Sequence, residues 1–273
     1  MTRPALIMVA PNGARRTRAD HPALPVTIAD VAATAARCHE AGAGAIHAHL
    51  RDADGRHSLD ADGYRDLIAA ISRVAGPEMV VQITTEAVGR YTPAEQRAVV
   101  DAVRPDAASV ALAEMVPDAG HETEAAIFYA RCAAREIAIQ HILYAPAELD
   151  RLADLVRRGI IPDTGLSVLF VLGRYTTDQQ SDPADLIPFL AAAEGLDSTF
   201  MTCAFGRGEI AALACTLSLG GHVRVGFENA LTGPDGTIWS DNAESVAAVA
   251  SVASTLRRAR PGRAETLGLL GLG

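Results

Sequence analysis

The segment Ile46-His47-Ala48-His49-Leu50-Arg51-Asp52 sets two imidazoles two residues apart. In an extended strand, residues i and i+2 point to the same face, so His47 and His49 project together. Two imidazoles on one face are half of a typical catalytic zinc site, which has three protein ligands and an open position. The competing reading is a pair of histidines satisfied inside a packed interior. An unpaired buried polar group costs roughly 1–3 kcal/mol, so on either reading the pair needs partners. A second constellation is Gly220-Gly221-His222-Val223-Arg224-Val225-Gly226-Phe227-Glu228-Asn229. If this strand is regular, Arg224 and Glu228 share one face, and Gly226 between them leaves interior space.

The elements that must position these side chains alternate along the chain. Strands are expected at residues 5–10, 45–50, 79–84, 108–113, 138–144, 167–172, 199–204 and 223–227. Alanine-rich helical patterns fall between and after them, at 28–41, from about 61, after Thr92-Pro93, and at 122–135, 147–157, 183–194, 209–219 and 244–257. Thr27 suits an N-cap, and Pro93 suits the first helical position. Strict alternation implies a parallel sheet with right-handed crossovers. Eight units favour closure into a (β/α)8 barrel, one domain over residues 1–273 with a helical extension at its C-terminus. The alternative is an open doubly wound sheet, but no G-x-G-x-x-G follows the first strand.

Barrel active sites are built at the C-terminal ends of the strands, and alternate strands fill the same interior layer. His47 and His49 lie near that end of the second strand. Glu228 ends the eighth, so it can complete a His-His-Glu metal set. Otherwise it pairs with Arg224 and closes the barrel; the two readings are compatible.

The 273 residues, 49% hydrophobic, can bury the core of such a barrel, which needs roughly 250 residues. The net charge of −9 argues against sequence-independent nucleic-acid binding, which requires clustered cations. Cys38, Cys132, Cys203 and Cys215 form no C-x-x-C pair, which argues against a zinc knuckle or disulfide framework. The start Met1-Thr2-Arg3-Pro4 lacks a secretory pattern, and the apolar run 5–11 is too short to span a membrane. A cytoplasmic enzyme without membrane or nucleic-acid partners is expected.

Five segments carry a specific resemblance: APNGARRTRADHPALPVT (10–27), AGAGAIHAHLRD (41–52), VQITTEAVGRY (81–91), CAFGRG (203–208) and GGHVRVGFENAL (220–231). Together they resemble the β-keto acid cleavage enzyme family, typified by 3-keto-5-aminohexanoate cleavage enzyme. The resemblance implies a metal-dependent barrel, usually with Zn2+, that exchanges acyl units between a β-keto acid and acetyl-CoA. It implies His47, His49 and Glu228 as metal ligands and Arg224 as an active-site arginine. Thr84 and Ser109 fall where hydroxyls contact substrate. Asn12, Arg15, Thr85 and Glu86 are further candidate substrate contacts. A homotetramer is also implied.

Several positions depart from the family pattern. The family commonly has Glu-Asp where this chain has Glu228-Asn229; Asn229 is thus a further candidate catalytic residue, although an amide cannot act as a general base. Arg15 replaces a glutamate suited to a substrate ammonium group; an arginine suits a neutral or anionic substituent. Glu86 stands where glycine is common, as a replacement base or a solvated loop carboxylate. Gln140-His141-Ile142-Leu143-Tyr144-Ala145 replaces an acidic stretch. Arg15, Arg16 and Arg18 form a basic loop expected at the same mouth. A metal-dependent hydrolase and a non-catalytic ligand-binding barrel remain alternatives, although a hydrolase of this kind would carry its H-x-H pair on the first strand.

Overall fold

The computed structural model describes residues 3–272; Met1, Thr2 and Gly273 lie outside the described residues, including half of the chain start read above. Eight strands, β1 (Ile7–Val9), β2 (Ala45–Ala48), β3 (Val80–Thr84), β4 (Ala107–Ala111), β5 (Ala138–Leu143), β6 (Ser167–Leu172), β7 (Thr199–Ala204) and β8 (His222–Val225), form a closed barrel in sequence order. Every pairing is parallel, and β8 closes on β1 with Arg224 opposite Met8. The helices are α1 (Ile28–Glu40), α2 (Ala61–Ala75), α3 (Pro93–Val103), α4 (Leu112–Met115), α5 (Glu122–Ala134), α6 (Ala147–Arg157), α7 (Leu186–Ala192), α8 (Glu209–Ser218), α9 (Asn242–Thr255) and α10 (Arg263–Leu269). This is a (β/α)8 barrel. Among the described residues, no helix is long and apolar enough to cross a membrane.

Local chemistry starts the helices where the sequence signals them. Thr27 and Asp30 form a capping box on α1, and Thr92 and Glu95 form another on α3 with Pro93 in its first turn. The last long helix begins at Asn242 rather than 244, because Asp241 caps it by accepting from the backbone N–H groups of Ala243 and Glu244. The fourth strand stops at Ala111, not 113, and the chain turns directly into α4.

Strand parity divides the buried residues. Ile46, Ile83, Val110 and Phe170 face outward to the helices, within one large apolar cluster. Leu6, Met8, Ala45, Val80, Ala107, Ala138, Leu169 and Met201 belong to a second, interior cluster. Two residues further along several strands the interior turns polar, with His47, Gln82, Ser109, Gln140 and Arg224 all buried. The C-terminal segment packs onto the interior cluster: Leu270 is fully buried within it, flanked by Leu267, Leu269 and Leu272. α10 therefore closes the barrel at the end opposite the polar mouth.

Candidate active site

β2 ends at Ala48, so His49 sits one residue beyond the strand yet keeps the inward direction of His47. Both are buried. Their Nε2 atoms lie 3.1 Å apart. Glu228 Oε2 lies 3.5 Å from His49 Nε2 and 3.8 Å from His47 Nε2. Bonds of about 2.0–2.1 Å in tetrahedral geometry put ligand atoms about 3.3–3.4 Å apart, so one ion fits between these three. Glu228 Oε2 and His49 Nδ1 are buried without a hydrogen-bond partner. His47 Nδ1 lies 2.8 Å from Gln82 Oε1. An amide oxygen only accepts, so Nδ1 carries the proton and the Nε2 lone pair faces the cluster.

The route that brings Glu228 inward differs from the expected one. β8 ends at Val225, and Glu228 reaches the histidines through a turn rather than along a regular strand. In that turn the Glu228 N–H donates to Ala10 O at 3.0 Å, and the Phe227 N–H donates to Asn242 Oδ1 at 2.8 Å. Gly226 adopts φ +138°, where a Cβ would lie 2.6 Å from Ala10 O. Its small size thus admits the backbone of Ala10, just after β1, rather than leaving open interior space. Gly13, at φ +58°, fits against Glu228 in the same way: a Cβ there would lie 2.7 Å from Glu228 Cγ.

Arg224 donates from Nη2 to Glu228 Oε1 at 3.1 Å and to Cys203 Sγ at 3.4 Å. Its Nε and Nη1 are buried and unpartnered, which leaves donors for an anionic ligand. Burial pushes the Glu228 carboxyl up, but Arg224 and the two imidazoles outweigh it and hold Glu228 well below the usual carboxylate range. Burial, reinforced by Arg224, holds His47 well below the usual imidazole range. Both groups are thus in the forms that bind a cation.

His47, His49, Thr84, Thr85, Glu86, Ser109, Arg224 and Glu228 line one inner cavity of about 20 Å³, room for about one water-sized body. Ser109 Oγ is buried there without a partner. Thr84 Oγ1 accepts from the Glu86 N–H at 3.0 Å, and Thr85 donates to Ser109 O at 2.9 Å, tying β3 to β4. Glu86 lies at the junction with an outer cavity, 3.9 Å from both His49 Nδ1 and Arg174 Nη2. It lines both cavities with its side chain partly exposed. Asn229 is fully buried with both side-chain polar atoms unpartnered; it lines neither cavity.

The outer cavity, about 110 Å³, is lined by Asn12, Arg15, Arg16, Tyr144, Arg174 and Phe205 among others. The expected arginine loop divides by role. Arg15 is exposed at the cavity wall. Arg16 also lines the cavity but donates to the carbonyls of Phe227 and Asn229, bracing the turn that carries Glu228. Arg18 pairs with Asp30 at 2.5 Å and stays at the start of α1. Asn12 donates to His49 O at 3.0 Å.

The departure at residues 140–145 points to this side of the pocket, where Tyr144 forms the wall; sequence reasoning missed Arg174 as a wall residue and Arg51 as an organiser. Arg51, next but one to His49, donates to the carbonyls of Asn12, Gly13, Arg16 and Gly55. Its adjacency to the histidine pair was the available signal. Arg51→Met leaves buried carbonyls without donors, so unfolding free energy is expected to fall by about 2–4 kcal/mol. Urea denaturation checks this, and a loss below about 0.5 kcal/mol would contradict the bracing role.

A closed parallel barrel whose mouth gathers two histidines, a carboxylate and a partly unpaired arginine defines an enzyme of the barrel class with a potential metal centre. Sequence comparison narrows the class. A profile of the beta-keto acid cleavage enzyme family matches residues 4–272, and the chain belongs to that family. It is 27% identical over 278 residues to a 3-oxoadipate:acetyl-CoA acetyltransferase of Cupriavidus necator, covering 100% of this chain and 96% of the relative. It is 28% identical over 259 residues to a 3-keto-5-aminohexanoate cleavage enzyme of Fusobacterium nucleatum subsp. nucleatum, covering 93% and 92%. Among solved structures, apo ObcA superposes with a TM-score of 0.74 at 18% identity, over 92% of this chain and 66% of that one. Type I 3-dehydroquinate dehydratase from Clostridium difficile superposes with a TM-score of 0.62 at 12% identity, over 94% and 93%. At these identities the structural likenesses speak for the barrel alone.

Proposed function

We propose that the protein is a zinc-dependent enzyme that condenses a β-keto acid with acetyl-CoA, giving acetoacetate and a new acyl-CoA. The Cα–Cβ bond of the keto acid breaks, and a bond forms between that Cα and the acetyl carbonyl carbon. The CoA sulfur leaves the acetyl group and ends on the former β-carbonyl carbon. Neither an oxidant nor water is consumed.

The observation that carries this reading is the meeting of Arg224 with the His47-His49-Glu228 cluster in one cavity. A β-keto acid offers a carboxylate and a keto oxygen on carbons separated by the single Cα methylene. Arg224 binds the carboxylate through its unpartnered Nε and Nη1. His47, His49 and Glu228 would hold a zinc ion, which would supply Lewis acidity for the keto group. Ser109 Oγ donates to a substrate oxygen, and the Thr84 hydroxyl orients beside it. Asn229 offers no carboxylate, and Glu114, the other carboxylate in the cavity beside the ligand Glu228, already accepts from the Ala87 N–H and Gln96 Nε2, so Glu86 is the group that accepts the Cα proton.

The wall of the outer cavity carries Arg15 and Arg174. Two guanidinium groups there favour a β-keto acid with a second anionic group over one with an ammonium group. The Cupriavidus relative is named for 3-oxoadipate, which is a keto diacid. The test is a panel of β-keto acids incubated with acetyl-CoA, scored for acetoacetate and acyl-CoA. Keto diacids are expected to lead the ranking, and Arg15→Glu to shift it toward amino-substituted acids by about tenfold, or about 1.4 kcal/mol. Hydrolysis products formed without CoA would instead establish a hydrolase. An unchanged ranking in Arg15→Glu would remove the distal-anion argument.

A further inference from the structure

Four buried side chains link the candidate metal centre to the far end of the barrel. His47 Nδ1 lies 2.8 Å from Gln82 Oε1. Gln82 Nε2 donates to Gln140 Oε1 at 3.3 Å, and Gln140 Nε2 donates to Ser167 Oγ at 3.3 Å. Ser167 Oγ donates to the carbonyl of Leu269 at 3.0 Å. Leu269 is the last residue of α10, where helix carbonyls lack partners within the helix. None of the four side chains is more than 1% exposed.

The chain has a direction, and one end fixes it. A backbone carbonyl has no proton to give, so Ser167 must donate to it. The Ser167 oxygen then accepts from Gln140, Gln140 Oε1 accepts from Gln82, and Gln82 Oε1 accepts from His47. Gln140 Nε2 also lies 3.7 Å from the Met201 thioether, another acceptor, which pins the same amide orientation more weakly. Reversing the order requires flipping both amides and turning the Ser167 hydroxyl away from Leu269. The reversed order would place the His47 proton on Nε2, the atom that faces His49 and Glu228.

We propose that α10 sets the tautomer of His47, through Ser167, Gln140 and Gln82, and so keeps its Nε2 lone pair available for a cation. These three are positioning residues; none touches the cluster itself except through His47. Outer partners that orient a ligating imidazole commonly carry 10–100-fold of metal affinity. The helix that plugs the base of the barrel is on this account part of the metal centre at its mouth. The inference rests on reading His47 as a ligand, but the tautomer can be observed without any metal.

The experiment has two readouts on the full chain. Imidazole 15N shifts of the metal-stripped protein report the His47 tautomer, and Zn2+ titration against a competing chelator reports affinity. Wild type is expected to show the Nδ1–H form and to bind one Zn2+. Ser167→Ala removes both the bond to Leu269 and the acceptor of Gln140, which cuts the link between α10 and the amides. It is expected to give mixed tautomers and an affinity about 2–10-fold weaker, since only the competent fraction binds. Gln82→Leu is expected to weaken binding by about 10–100-fold. Gln82→Glu places an acceptor at His47 whatever the state of α10, so Ser167→Ala in that background is expected to change neither readout. An Nδ1–H tautomer and full affinity in Ser167→Ala would overturn the proposal. A wild type with the Nδ1–H tautomer but no Zn2+ binding would instead overturn the metal-site reading.

Discussion

Replacing His49 by alanine is expected to empty the metal centre and to lower turnover by on the order of 10³-fold or more. Wild type should contain about one zinc per chain by elemental analysis, and H49A less than a tenth of that. The magnitude follows from the donor count. The cluster offers three ligand atoms within 4.8 Å of one another, and removing one leaves a single imidazole and a carboxylate that Arg224 already engages through Oε1. His49 is also the histidine whose second nitrogen has no hydrogen-bond partner. Its one side-chain hydrogen-bond contact is with His47 Nε2, inside the cluster itself, so a fall in activity with the fold retained by circular dichroism reports the metal and not a collapsed interior. Full zinc occupancy in H49A, with activity near that of wild type, would rule the ligand assignment out. Chelation of wild type should reproduce the mutant phenotype, and re-addition of Zn2+ should restore wild type alone.

Much of this centre was legible because its defining signal is local. Two histidines at i and i+2 face the same way whatever surrounds them. Alternating strand and helix patterns, with capping residues at Thr27 and Thr92, were enough to place that face inside a barrel. Glu228 was reached through strand parity and the family resemblance, but the physical route is a turn held by Asn242 and Ala10. That turn depends on contacts from opposite ends of the chain: the Phe227 amide bonds a side chain at the start of α9, and the Glu228 amide bonds the residue after β1. What the sequence did not reveal depends on barrel register. Gln82 and Gln140 are 58 residues apart and meet only because the closed barrel brings two non-adjacent strands together across its interior. Arg174 joins Glu86 on similar terms, from the loop after β6. Asn229 shows the opposite failure: its position next to Glu228 suggested a catalytic side chain, and the turn buries it away from both cavities.

The second large effect concerns Arg224, and its value lies in separating charge from metal. Arg224→Met keeps the length of the side chain and removes the guanidinium. It leaves Glu228 without its cationic partner and a substrate carboxylate without its donors. Loss of a preorganised charged donor of this kind is expected to lower kcat/KM by about 10²–10³-fold, or about 2.7–4 kcal/mol. With Zn2+ supplied in excess, the centre should remain loaded, because its three ligands are untouched. The loss should then appear largely in KM for the keto acid, with KM for acetyl-CoA moving far less. Arg224→Lys should recover only part of the activity, since an ammonium lacks the planar fork that engages Glu228, Cys203 and a carboxylate together. If steady-state kinetics instead show equal KM changes for both substrates, Arg224 acts on the cavity as a whole. If kcat/KM falls by less than about threefold at full metal occupancy, the keto acid carboxylate binds elsewhere, and Arg174 with Arg15 at the outer wall become the groups to replace next.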